Sequence, residues 1–177
     1  ELVIKRVIHT TADFDYADNL TFSDHAVRKG IAALKSGCDI VTDTQMAKAG
    51  INKTILASLG GEVHCFMSDP DVAQEARSRG VTRAFVSMEK AAALEKPCIF
   101  AIGNAPTALL SLEQLMEEGK AAPALIIGVP VGFVNVEISE ERIIEKARAP
   151  YIVARGRKGG SNVAAAICNA LLYQIRR

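Results

Sequence analysis

The chain has 177 residues, with 21 Lys plus Arg against 20 Asp plus Glu and a formal net charge of +1. A content of 49% hydrophobic and 23% charged residues suits one globular core and excludes intrinsic disorder. Balanced charge, 5% aromatic residues and the lack of Trp argue against a nucleic-acid binder, which needs a basic excess and stacking rings.

Residues 3–10 are expected to form a helix, although the run 3–11 is also compatible with a strand; 12–24 read as polar loop and 26–35 as helix. Five short runs rich in Val and Ile then read as buried strands, at 38–41, 63–67, 98–102, 124–128 and 151–154. Helix-length segments with apolar residues at three-four spacing separate them: 69–79, 83–94, 105–118, 140–147 and 162–175, with a short helix at 45–49. Thr82 and Ser139 supply side-chain oxygens at two of the helix starts. Alternation at this period predicts parallel strands joined by crossover helices. The expected fold is a three-layer α/β/α sandwich with a five-stranded parallel sheet, a single unit over residues 1–177.

The longest uncharged stretches, 98–112, 121–136 and 162–175, are interrupted by Pro, Gly or Asn and fall short of the ~18 apolar residues of a membrane span. The first nine residues lack the basic-then-apolar pattern of a secretory signal, and the chain opens on Glu1, so the start is expected to be trimmed and the location cytoplasmic. Cys38, Cys65, Cys98 and Cys168 form no C-x-x-C pair and read as reduced core residues.

The polar, glycine-rich segments follow the ends of the expected strands: TDTQM (42–46), GNAPT (103–107), VPVGFVN (129–135) and RGRKGGSN (155–162). In an open parallel sheet such loops emerge on one edge, where ligands bind. RGRKGGSN combines three cations, a Gly-Gly pair and Ser161 or Asn162 as a helix cap, which are the parts of an anion site. It differs from a phosphate loop in that Lys158 precedes its glycines. Asp43, Thr44, Asn104 and Thr107 stand where they would equally serve as helix caps.

His9, His25 and His64 show no metal-ligand spacing, so no metal is expected. His64, inside a strand-like run, reads as structural and His25 as exposed. His9 lies in RVIHTTADFDYAD, among Arg6, Thr10, Thr11 and Asp13, which are expected to orient its ring. An imidazole so placed can give and take a proton near neutral pH.

RVIHTTADFDYAD, DTQMAKAGI, GGEVHCF, GVTRAF, IGNAPTALL, IIGVPVGFVNVEISE and APYIVARGRKGGSNVAAAICNALL, in this order over nearly the whole chain, resemble the precorrin-8X methylmutase family. The resemblance implies a flavodoxin-like sheet of order 2-1-3-4-5, a homodimer and no cofactor. It implies an isomerase of cobalamin biosynthesis that moves a methyl group from C11 to C12 of precorrin-8X, giving hydrogenobyrinate, or cobyrinate when cobalt is present. The catalytic histidine of the family falls on His9, and the expected contacts to substrate are Arg6, Thr10, Asp43, Thr44, Arg83, Asn104, Thr107, Arg157, Lys158 and Ser161. The partner is then a tetrapyrrole rich in carboxylates, with tight binding of the product. Family members carry a further segment ahead of the histidine motif, which this chain is expected to lack. A non-catalytic corrinoid carrier and a nucleotide-binding flavodoxin-like protein are the alternatives, the latter without G-x-G-x-x-G or a Walker motif.

Overall fold

The computed structural model describes residues 1–146 and 148–176. The chain opens with α1 (Leu2–Thr11), a single-turn α2 (Tyr16–Asn19) and β1 (Leu20–Phe22), then α3 (Ala26–Lys35). The repeating part runs β2 (Asp39–Thr42), α4 (Gln45–Gly50), α5 (Lys53–Ser58), β3 (Val63–His64), α6 (Pro70–Arg79), α7 (Arg83–Ala92) and β4 (Cys98–Ile102). It continues through α8 (Pro106–Glu117), β5 (Leu125–Gly128), α9 (Val136–Lys146), β6 (Tyr151–Ala154) and α10 (Ser161–Ile175). The helix end expected at Ala147 lies outside the described residues.

The sheet has the order β1-β6-β5-β4-β2-β3. Its five parallel strands stand in the expected order, and a sixth, β1, adds to the β6 edge in antiparallel sense with Thr21 opposite Val153. The expectation of five strands is therefore corrected to six. Only three residues of β1 pair, and they sit inside a polar segment, so no run of alternating apolar residues marks them in the sequence.

The central strands are buried on both faces, and the pleat divides their side chains between two cores. Ile40, Ile99, Ala101, Leu125 and Ile127 face α1, α3, α5 and α10. Val41, Phe100, Ile102, Ile126 and Val153 face α7, α8 and α9. This gives the three layers. In α10 every residue of 163–168 is buried, because the helix lies in mid-layer against the sheet with α1, α3 and α4 around it.

Local signals explain the helix starts. The hydroxyl of Thr82 accepts from the Phe85 N–H and Asn52 Oδ1 from the Ile55 N–H, while Pro70 and Pro106 occupy first turns. Ser139 does not cap: α9 begins three residues earlier, and the Ser139 hydroxyl donates to the carbonyl of Val136.

Candidate functional site

Four loops leave the carboxyl ends of β2, β4, β5 and β6, and the structure ties them to one another. Asp43, 1% exposed, reaches across from the 42–46 loop: its Oδ1 accepts from Gly103 N at 2.9 Å, and its Oδ2 from Asn104 N at 2.9 Å and Ala105 N at 2.6 Å. A carboxylate thus sits on the backbone donors leading into α8, in place of the cap expected from Asn104 or Thr107. Burial pushes the Asp43 carboxyl above the usual carboxylate range, and the three N–H donors pull it back. Thr44 caps α4 by accepting from Ala47 N, and its hydroxyl meets that of Ser161 at 2.7 Å. Ser161 is accordingly the first residue of α10 rather than its cap.

Close backbone approach joins the remaining loops. Gly160 N donates to the Val129 carbonyl at 2.9 Å and Gly132 N to that of Arg157 at 3.2 Å. A Cβ on Gly159 would lie 2.1 Å from Val129 O, and one on Gly103 would lie 2.7 Å from Gly160 O, so neither position has room for a side chain.

The cations of the 155–162 loop are already engaged. Arg155 forms two bonds to Glu141 at 2.9 and 3.0 Å, and Lys158 holds Asp13 at 2.7 Å and Asp15 at 2.6 Å. Arg157 lies over the Phe133 ring at 5.4 Å, with Glu137 at 3.9 Å. Lys158 lowers the Asp13 carboxyl below its usual range, and the two acids raise the ammonium. This clamp fastens the end of α1, the His9 helix, to the glycine loop.

His9 is exposed on α1 and lines a groove of about 360 Å³ with Leu2, Lys5, Arg6, Ala170, Tyr173 and Gln174. Helix α1 packs against α10, and Arg6 lies 4.8 Å from the Tyr173 ring. The neighbours expected to orient His9 bond elsewhere: the Thr10 hydroxyl donates to Arg6 O, that of Thr11 to Val7 O, and Asp13 belongs to the clamp. Helical Thr hydroxyls prefer the carbonyl four residues back, which removes them from the imidazole. Arg83 opens α7, in the layer across the sheet from α1 and α10, exposed and without an ion pair among the described residues.

Sequence reasoning missed two features. Phe14, Met46, Phe133 and Val134 are 70 to 82% exposed and Val131 is exposed too; Val131, Phe133 and Val134 lie on the 129–135 loop, Met46 on the first turn of α4 and Phe14 between the two acids held by Lys158. The apolar character of VPVGFVN, unusual for a surface loop, was the available signal. The other is Glu140 on α9, 1% exposed, whose Oε2 accepts from Gly156 N at 3.1 Å while Oε1 has no partner. Away from this edge, His64 Nε2 lies 2.9 Å from Asp39 Oδ2 and Lys96 Nζ 3.0 Å from Oδ1, while Asp39, Glu62 and His64 each bring one possible ligand atom within 4.8 Å of the others. Lys96 and the Glu62 N–H satisfy Asp39 Oδ1, in keeping with a structural His64.

Fold and edge together define an open, doubly wound α/β protein whose interlocked, apolar-rimmed loops stand at the switch from β2 to β4. A family model described as precorrin-8X methylmutase matches residues 1–174. A cobalt-precorrin-8 methylmutase of Salmonella typhimurium is 50% identical, the match covering 99% of this chain and 82% of that protein. One from Priestia megaterium is 46% identical over 96% and 75%. A precorrin-8X methylmutase structure from Thermus thermophilus superposes with a TM-score of 0.89 at 39% identity, covering 99% of this chain and 85% of that one. The chain belongs to the precorrin-8X methylmutase family, the isomerases of corrin-ring biosynthesis.

Proposed function

We propose that this chain moves a methyl group from C11 to C12 of precorrin-8X or of its cobalt form, with His9 as the group that gives and takes the proton. The observation that carries the reading is the clamp of Lys158 on Asp13 and Asp15, which joins the histidine helix to an edge built from four interlocked loops. A methyl shift within a conjugated ring needs neither nucleophile nor redox group, because protonation of the macrocycle alone redistributes its electrons. One placed general acid suffices and typically contributes ~100 to 10,000-fold. The exposed Phe14, Met46, Val131, Phe133 and Val134 offer an apolar rim to the ring. Arg157, Lys158, Arg6 and Arg83 are cations for its carboxylates. Asn104, Thr107, Thr10, Thr44 and Ser161 add polar groups, whereas Asp43, buried and fully engaged, acts by fixing the 103–107 loop.

A homodimer and a cytoplasmic location belong to the same reading, the first checked by sedimentation. No described helix is long and apolar enough to cross a membrane. The reaction is tested by an absorption time course with precorrin-8X and with cobalt-precorrin-8, beside His9→Ala. Conversion to the corrin spectrum by the parent, with product binding kept and turnover lost in the variant, is the expected result. Equal turnover in the variant would remove His9, and binding without conversion in the parent would favour a carrier.

A further inference from the structure

We infer that Glu140, held as a neutral carboxylic acid, is a positioning residue that fixes the 155–160 loop for binding the corrinoid; the ligand half of this inference rests on the function proposed above. The side chain leaves the second turn of α9, is 1% exposed, and accepts from Gly156 N at 3.1 Å, at the entry to the glycine loop. Its other oxygen is buried without a partner. A buried carboxylate would require a cation or several N–H donors, and Glu140 has one N–H. Each charged group around it is either of like sign or engaged elsewhere. Glu137 and Glu141 flank it on α9; Arg155 of the loop is taken by Glu141, Arg157 stands by Glu137 and Lys158 is held by Asp13 and Asp15. From α8, Glu113 meets Arg142 at 3.7 Å, and from β6 the one titratable side chain is the half-buried Tyr151. Burial, with the two glutamates adding to it against the Gly156 bond, pushes Glu140 up to about 9.

The consequence is a loop whose anchor depends on one proton. With the proton on, Gly156 keeps its acceptor and no charge is buried. With it off, an unpaired carboxylate beside two others favours an opened, hydrated arrangement, which shifts the backbone between Arg155 and Lys158. The sequence showed no sign of this, since Glu140 lies in a run of acidic residues that reads as a solvated helix face.

The test measures binding of hydrogenobyrinate by absorption or quenching between pH 7 and 10.5, for the parent, Glu140→Gln and Glu140→Ala. In the parent, Kd is expected to be flat to about pH 9 and then to rise about tenfold per unit. Glu140→Gln keeps an acceptor for Gly156 and cannot ionise, so its Kd stays flat over the same interval. Glu140→Ala binds more weakly at every pH. An alkaline rise of equal size in Glu140→Gln, or a flat parent curve, would overturn the inference. Hydrogen exchange at the Gly156 amide, without ligand, separates it from the corrinoid reading: exchange beyond the intrinsic pH trend above pH 9 in the parent and not in Glu140→Gln supports the anchor even if no corrinoid binds, and identical exchange in both defeats it.

Discussion

Replacing Asp43 by Ala should test whether the loop edge is organised by one buried carboxylate. The change removes the acceptor of three backbone N–H groups: that of Gly103, in a buried bond, and those of Asn104 and Ala105, half-buried. A buried donor left unpaired costs about 1–3 kcal/mol, so the first counted in full and the others at half weight give about 2–6 kcal/mol. Relief from burying the carboxyl group reduces this toward about 2–4 kcal/mol, a large part of the ~5–15 kcal/mol that holds a typical domain together. Urea denaturation followed by circular dichroism measures it as a lower midpoint at unchanged slope. Asp43→Asn separates charge from shape: its amide nitrogen must face at least one N–H donor, so it too should lose about 1–3 kcal/mol. An Ala variant within about 1 kcal/mol of the parent, or an Asn variant equal to it, would refute the reasoning.

Gly159→Ala places a methyl where Val129 O stands 2.1 Å away, so the loop must move; hydrogenobyrinate binding should weaken at least about tenfold, read by titration, with the helical circular dichroism retained. Since burial raises Glu140 from 4.5 to about 9, its contribution to stability is full below pH 4.5 and declines as pH rises toward 9, by up to about 1.4 kcal/mol per unit; unfolding at pH 5, 7 and 9 should show this slope in the parent and its loss in Glu140→Gln. Burial pushes the thiols of Cys38 and Cys168 up to about 12 and that of Cys98 to about 11. A thiol reagent at pH 8 should leave these three unmodified in the native protein and label them in denaturant.

Four of the five parallel strands were legible because they are largely buried and so read as apolar runs, such as CIFAI at 98–102, whereas β3 at the edge spans only two half-buried residues. The position of the loops then followed from α/β alternation, whereas the strand order was implied only by the family resemblance. β1 was not legible: its partner is Tyr151–Ala154, remote in sequence, and Leu20–Phe22 carries no periodic pattern of its own. The loops were rightly singled out as polar and glycine-rich, yet the sequence could not pair Asp43 with Gly103 or Lys158 with Asp13, contacts between residues 60 and 145 positions apart. Capping assigned from neighbours alone failed at Ser139, Ser161 and Asn104, because the donors there find partners from other elements or from the helix itself. Glu140 was hidden for the opposite reason: a charged residue in a polar helix is assumed solvated until packing is known.

That the cations at this edge are paired bears on how it would select a ligand. Arg155 and Lys158 are held by Glu141, Asp13 and Asp15 at the surface, with Lys158 about half exposed. Exposed pairs of this kind are worth about 0–1 kcal/mol, so a substrate carboxylate can take the place of Asp or Glu at little net cost. In the meantime the cation is already extended and aimed, which lowers the ordering entropy lost on binding. One isolated anion gains little by such an exchange. A macrocycle with carboxylates around its rim can make several exchanges at once while its flat face covers Phe133 and Phe14, and only that combination draws on both the charge and the apolar rim. Exchange at Lys158 would also release the clamp on Asp13 and Asp15, coupling arrival of a carboxylate to the end of the helix that carries His9. On the proposed function, anchoring the substrate and placing the proton donor are thus two consequences of the same ammonium group.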